Sequence, residues 1–274
     1  MKNWEGSAKY WEKAFNPVIG CNKISEGCLN CYAKGVVERF GINDGDFKPT
    51  VMTNAKAPKS GIVFVGNMTD IFGEWVSHHQ LFDILYSLND KAINLILTKR
   101  AKRFNDFAWR KEECWFGVTC ENQTRADERI PELLKADVLH RWLSLEPLLG
   151  EIDLQHITRS CERGLGEYVD CLTGEDWQES SIFGGSRCGL EPDEYYEKRI
   201  KLVVIGAESL GNNAGRECKI EWIEKAVNDC LKAGVPVFVK QIHIDGKLIK
   251  DINKFPEHLR IRQIPDKFKN YKGN

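Results

Sequence analysis

Six short apolar runs rich in β-branched residues, separated by stretches of helical periodicity, predict an α/β chain whose parallel strands form a partial or complete (β/α) TIM-type barrel. The runs are Gly61–Gly66, Ala92–Thr98, Cys114–Thr119, Val138–Leu145, Lys201–Gly206 and Val235–Val239. Nearly unbroken apolar runs suit strands covered on both faces. Apart from one wider gap, their starts lie about 22 to 34 residues apart, the natural length of a strand–helix unit. A seventh, earlier strand is expected around Trp11–Phe15.

Helical stripes fill the gaps. Leu81, Ile84, Leu85 and Leu88 recur at three- and four-residue spacing, as do Ala126, Ile130, Leu133 and Leu134, and Ile223, Ala226, Val227 and Cys230. Another stripe, Leu29, Ala33, Val36, Val37 and Phe40, predicts a helix starting near Leu29. Each reads as the core-facing side of an amphipathic helix. The gap from Val138 to Lys201 has room for a further βα unit plus an insertion at about 160–198 that lacks any period. Residues 1–274 are read as a single domain carrying that insertion. Gly246, in Ile244-Asp245-Gly246-Lys247, reads as a hairpin turn.

Acidic and basic residues nearly cancel, 40 against 39, so bulk charge gives no argument for nucleic-acid binding. The start has no long apolar stretch, and no segment approaches the ~18 consecutive apolar residues of a membrane span. A cytoplasmic location and no membrane partner are therefore expected. The 10 cysteines are many for such a chain, so the clustered ones read as metal or cluster ligands. Scattered ones such as Cys114 and Cys230 read as small buried apolar residues.

The cluster is Cys21, six residues, Cys28, two residues, Cys31. Thiolates are the standard ligands of iron–sulfur clusters. Three on one loop can hold three irons of a four-iron cube and leave the fourth open to a small molecule. Gly20 and Gly27 allow the turns such a loop needs, and backbone N–H groups of the following helix would face the anionic cluster. Two plainer readings stand beside this one. Zinc with a distant fourth ligand would serve a regulatory or scaffold protein without catalysis, although Cys21 to Cys28 is wide for a zinc knuckle. Alternatively, the three cysteines are simply packed inside.

The three-cysteine loop after a first strand, followed by a βα pattern, resembles the radical S-adenosylmethionine (SAM) superfamily. The spacing departs from that superfamily's commonest pattern, and Tyr32 follows the third cysteine where an aromatic usually precedes it. Several blocks narrow the resemblance: Asn16-Pro17-Val18-Ile19-Gly20-Cys21, Leu97-Thr98-Lys99-Arg100, Phe116 to Gln123, Leu143 to Gly150 and Val237 to Gln241. They are similar to the phage gp37/gp68-like, radical-SAM-like family, whose reaction is not established. The resemblance implies a [4Fe–4S] cluster on Cys21, Cys28 and Cys31, SAM as cosubstrate, and ferredoxin or flavodoxin as electron donor. Its phage association suggests a nucleotide or nucleic-acid base as substrate.

Barrel enzymes carry their chemistry at the C-terminal ends of the strands, and here each run ends in polar residues. Under the resemblance, Tyr32, Asn67, Asp70, Lys99, Glu121, Asn122, Glu146, Glu208 and Ser209 are cofactor-binding candidates. Asp70 or Asn67 would take the SAM amino group, and Lys99 or Arg100 its carboxylate. Arg100, Gln123 and Lys240 are also substrate-binding candidates. Asp70 and Asn122 could equally cap helices. A hydrolytic alternative would gather Asp70, Glu121, Glu146 and Glu208 around Mg²⁺, leaving the cysteines unexplained. Cys161, Cys171 and Cys188 in the insertion are candidates for a second metal site.

Overall fold

The structure is a computed structural model that describes residues 6–52, 54–159, 167–178, 186–187 and 199–269. Its centre is one eight-stranded sheet in which spatial order follows chain order. The strands are β1 (Lys13–Phe15), β2 (Gly61–Val65), β3 (Ala92–Thr98), β4 (Cys114–Thr119), β5 (His140–Leu145), β6 (Ile200–Gly206), β7 (Val237–Ile244) and β8 (Lys247–Ile249). Strands β1 to β7 run parallel, and only β8 returns antiparallel. The β7–β8 turn is the expected hairpin, with Asp245 and Gly246 both at positive φ, as a two-residue type I′ turn requires. The sheet curls into an open half-barrel whose edges are β1 and β8.

Helices α1 (Tyr32–Phe40), α2 (His78–Tyr86), α3 (Gln123–Lys135) and α4 (Ile220–Lys232) make four of the crossovers, and a short α5 (Asp266–Lys269) follows β8. The expected stripes are buried: Leu81, Ile84 and Leu85 on α2; Ala126, Ile130, Leu133 and Leu134 on α3; Ile223, Ala226, Val227 and Cys230 on α4. Ser77 and Gln80 close α2 with a reciprocal capping box.

Successive strand residues point to opposite faces, and two apolar layers result. Val63, Val65, Phe116, Val118, Leu143, Val203 and Val239 face the helices. Ile62, Phe64, Leu95, Trp115, Trp142, Leu202, Val204 and Phe238 fill the concave side with Tyr10, Ile264 and Phe268. Trp142 lies over Gly117, where a Cβ would meet its ring at 2.6 Å, and its Nε1 donates to the carbonyls of Ile96 and Trp115 at 3.1 Å.

Three expectations change. The helix after the cysteines begins at Tyr32, not near Leu29. A 3₁₀ turn at Glu26–Cys28 comes first, and extended Cys31 breaks the helical path between them. Leu29 is therefore exposed, at 58%; Phe40, in the last turn of the helix, is also exposed, at 69%, while Ala33 and Val37 are buried. Between β5 and β6 the described residues hold no βα unit. They form instead an antiparallel sheet of Ile157–Arg159, Glu167–Val169, Asp176–Gln178 and Ser186–Arg187. Its strands are too short to show a period. Finally, β3 reaches β4 through a 3₁₀ segment, Ala101–Asp106, rather than an α-helix. No helix among the described residues is long and apolar enough to cross a membrane.

Candidate functional site

Alternation carries the concave face upward into a polar layer. Two residues beyond Leu97 stands Lys99, and two beyond Thr119 stands Glu121. Two beyond Ser144 stands Glu146, and two beyond Phe238 stands Lys240. The loop from Gly20 to Cys31 crosses this layer at the C-terminal ends of β2, β3 and β4. A cavity of about 180 Å³ opens there, lined by all three cysteines together with Tyr32, Asn67, Asp70, Lys99 and Arg100.

The loop is pinned beside each cysteine. Thr69 Oγ1 donates to the Gly20 carbonyl at 2.6 Å, and Arg100 Nη2 to that of Asn22 at 3.1 Å. Ser25 Oγ donates to Glu121 Oε1 at 2.5 Å and lies 3.7 Å from Cys28 Sγ. Glu26 receives Asn122 Nδ2 at 2.5 Å and Arg125 Nη2 at 3.0 Å. Asn30 Nδ2 donates to Glu208 at 3.1 Å, and Tyr32 Oη to the Asn67 carbonyl at 2.5 Å. Two glycines are required: a Cβ on Gly20, at φ +92°, would meet the Lys48 carbonyl at 2.2 Å, and one on Gly27 would meet Glu121 at 2.3 Å.

Asp70 is a hub of the fold. Oδ1 accepts from Thr98 Oγ1 (2.7 Å) and the Phe72 N–H (3.0 Å). Oδ2 accepts from the Lys99 N–H (3.0 Å) and Arg100 Nη1 (3.2 Å). Arg100 also pairs with Glu74 and stacks on Trp75 at 4.7 Å. Asn67 differs: its Oδ1 is buried at the cavity and no hydrogen bond satisfies it. Glu121 is fully buried and pairs with Lys99 at 2.6 Å and Arg129 at 2.8 Å. Burial pushes its carboxyl up, but Lys99 and Arg129 outweigh burial and hold it below the usual range.

The thiols differ in the same field. Burial and the Asp70 carboxylate push Cys21 up to about 12. Burial also works against the Cys28 thiolate, yet backbone hydrogen bonding at Ile24 and Ser25 and the Lys99 ammonium bring that thiol below its ordinary value.

The remaining candidates lie off the cavity. Glu146 pairs with Lys240 at 2.7 Å and lies within reach of Tyr10 Oη and Ser144 Oγ, on the β5 and β7 side of the polar layer. Glu208 pairs with Arg216, which binds it through the side chain and the backbone N–H. Burial alone would raise Glu208, but Arg216 and Asn30 bring it from 4.5 to about 2. Ser209 opens a two-residue strand paired with Asn213–Ala214. Gln123 is occupied by the Asp153 N–H and by Asp127, and Asn122 caps α3 through the Arg125 N–H. Cys171 is buried with a raised thiol; Cys161 and Cys188 lie outside the described residues.

Sequence reasoning missed Ser25, Glu26, Asn30, Arg129 and Arg216. Arg129 had a signal: it falls on the apolar stripe of α3 with Ala126, Ile130 and Leu133, where a charge implies a buried partner. The four carboxylates of the hydrolytic alternative do not converge, each having a cation of its own. Among the described residues, no group of three or more His, Cys, Asp or Glu side chains is arranged around a single metal ion.

Fold and site together define an α/β half-barrel protein with a cysteine-lined cavity at the C-terminal ends of its strands. The family model described as "Protein of unknown function (DUF5131)" matches residues 5–255, and the chain belongs to that family. No curated protein and no solved structure matches it.

Proposed function

We propose that the chain is a radical SAM enzyme that holds a [4Fe–4S] cluster on Cys21, Cys28 and Cys31. One observation carries this reading: three cysteines of a single loop line one cavity at the C-terminal ends of β2 to β4. The donor set fits the group. A four-iron cube takes each thiolate on a different iron, so the sulfurs need not converge on one point as around zinc. Held there by Cys21, Cys28 and Cys31 and reduced by ferredoxin or flavodoxin, such a cluster would supply the electron for reductive cleavage of SAM and hydrogen abstraction from a substrate.

The chain's own residues divide the remaining work. Asn67 Oδ1, a buried acceptor without a donor, suits an ammonium such as that of SAM. Of the two residues offered for that task, Asp70 already accepts four hydrogen bonds. Lys99 and Arg100 both line the cavity, the Lys99 ammonium paired with Glu121 and the Arg100 guanidinium with Asp70 and Glu74. The Glu146–Lys240 pair faces the concave interior and is the candidate substrate contact. The apolar concave layer beneath excludes water from the reacting centre. A nucleotide or nucleic-acid base is the first substrate class to test, and the near-neutral charge argues against tight duplex binding.

Anaerobic reconstitution with iron, sulfide, SAM and a low-potential reductant tests the reading. The expected result is 5′-deoxyadenosine from the wild type and none from Cys28→Ala. A wild type that takes up zinc stoichiometrically but no iron and sulfide, or a Cys28→Ala variant that still cleaves SAM, overturns it.

A further inference from the structure

We infer that Glu121 is a positioning residue that holds the cysteine loop in its ligand-ready form before any metal is bound. The inference rests on the reading of Cys21, Cys28 and Cys31 as ligands and assigns Glu121 to the loop instead of to SAM. The Glu121 carboxylate lies directly beneath the Ser25–Cys28 turn. It receives the Ser25 hydroxyl at 2.5 Å, and that same oxygen lies 3.7 Å from Cys28 Sγ. It also fills the space that a side chain at Gly27 would need, with Oε1 at 2.3 Å and Cγ at 2.5 Å from such a Cβ. The turn is thus seated on the carboxylate by one hydrogen bond and by close contact.

Glu121 itself cannot drift. Arg129 grips its other oxygen at 2.8 Å and is anchored in turn to the Thr119 carbonyl at 2.6 Å; Lys99 closes the near side at 2.6 Å. A carboxylate and a guanidinium, both essentially out of water, are costly to bury, and apolar residues of the same volume would often serve stability as well. Their geometric product here is a fixed oxygen under the turn that carries Cys28.

The test uses the metal-free full-length protein, with the alkylation rate of Cys28 and amide hydrogen exchange across residues 22–31 as readouts. Ser25→Ala removes the link to Glu121 together with the 3.7 Å contact to Cys28 Sγ and leaves the buried triad intact, so amide exchange reads the loop itself. The substitution is expected to speed Cys28 alkylation roughly tenfold, the effect of losing a hydrogen bond to a charged group. Ser25→Thr, which keeps the hydroxyl, is expected to restore the wild-type rate, and circular dichroism is expected to be unchanged in both. Glu121→Gln should loosen the loop at least as much; if that variant unfolds, the Ser25 pair still decides. Wild-type exchange and alkylation in Ser25→Ala overturn the positioning role. Iron and sulfide uptake, measured in parallel on the wild type, separates the two ideas. A wild type that takes up neither refutes the cluster reading, whereas a loop that loosens in Ser25→Ala and tightens in Ser25→Thr upholds Glu121 regardless.

Discussion

Asn67 and Asp70 stand on the same turn after β2 and do opposite things. Every lone-pair direction of Asp70 is used within the fold, whereas the Asn67 amide oxygen is buried without a donor. Asp70→Ala leaves the Arg100 guanidinium buried beside fewer counter-charges and is expected to cost about 3–5 kcal/mol in urea denaturation. Asn67→Ala is expected to change stability by less than about 1 kcal/mol while weakening SAM binding, as read by equilibrium dialysis. Glu208 supplies a pH signature. Its carboxyl is depressed from 4.5 to about 2, so the folded state binds fewer protons than the unfolded chain between those values. The stabilisation is complete above about pH 4.5 and is lost as pH falls toward 2. Urea midpoints measured from pH 6 to pH 3 should fall more steeply in the wild type than in Glu208→Gln.

Strands β2 to β7 were legible because continuous apolar runs admit few other structures, and α2 to α4 because their stripes face the same layer. The start of α1 was misread for a local reason. Leu29 continues the numerical stripe, but the chain leaves the 3₁₀ turn after Cys28, and an extended residue at 31 resets the helix. The antiparallel sheet after β5 escaped because two- and three-residue strands carry too few side chains to display alternation. Among the site residues, the cysteines announced themselves by spacing. Ser25 and Glu26 did not, since their partners at Glu121 and Arg125 are neighbours only in the folded chain. Arg129→Met tests the one signal that was present. It leaves the fully buried Glu121 with Lys99 as its remaining cation, and thermal unfolding should show a loss of about 3 kcal/mol or more. Packing in the concave layer is equally strict: Gly117→Val drives two methyls toward Trp142 and should cost about 1–3 kcal/mol.

The half-barrel depends on its ends. Ile264 and Phe268 come back after β8 to join Trp115 and Trp142 inside the sheet. Removing the chain from Ile264 onward withdraws from that layer the side chains of Ile264 and Phe268, each stabilising by about 1.5–3 kcal/mol. A fall of roughly 10 °C in melting temperature is expected by calorimetry.

The pinning of the cysteine loop also dictates when the site comes into being. Its anchors lie 78, 96 and 178 residues further along the chain, at Arg100, Glu121 and Glu208. Translation therefore produces the three sulfurs within residues 21–31 but leaves their loop without its last anchor until Glu208 has been added. A nascent chain stalled before Glu208 would therefore present the cysteine loop without the contact that holds Asn30.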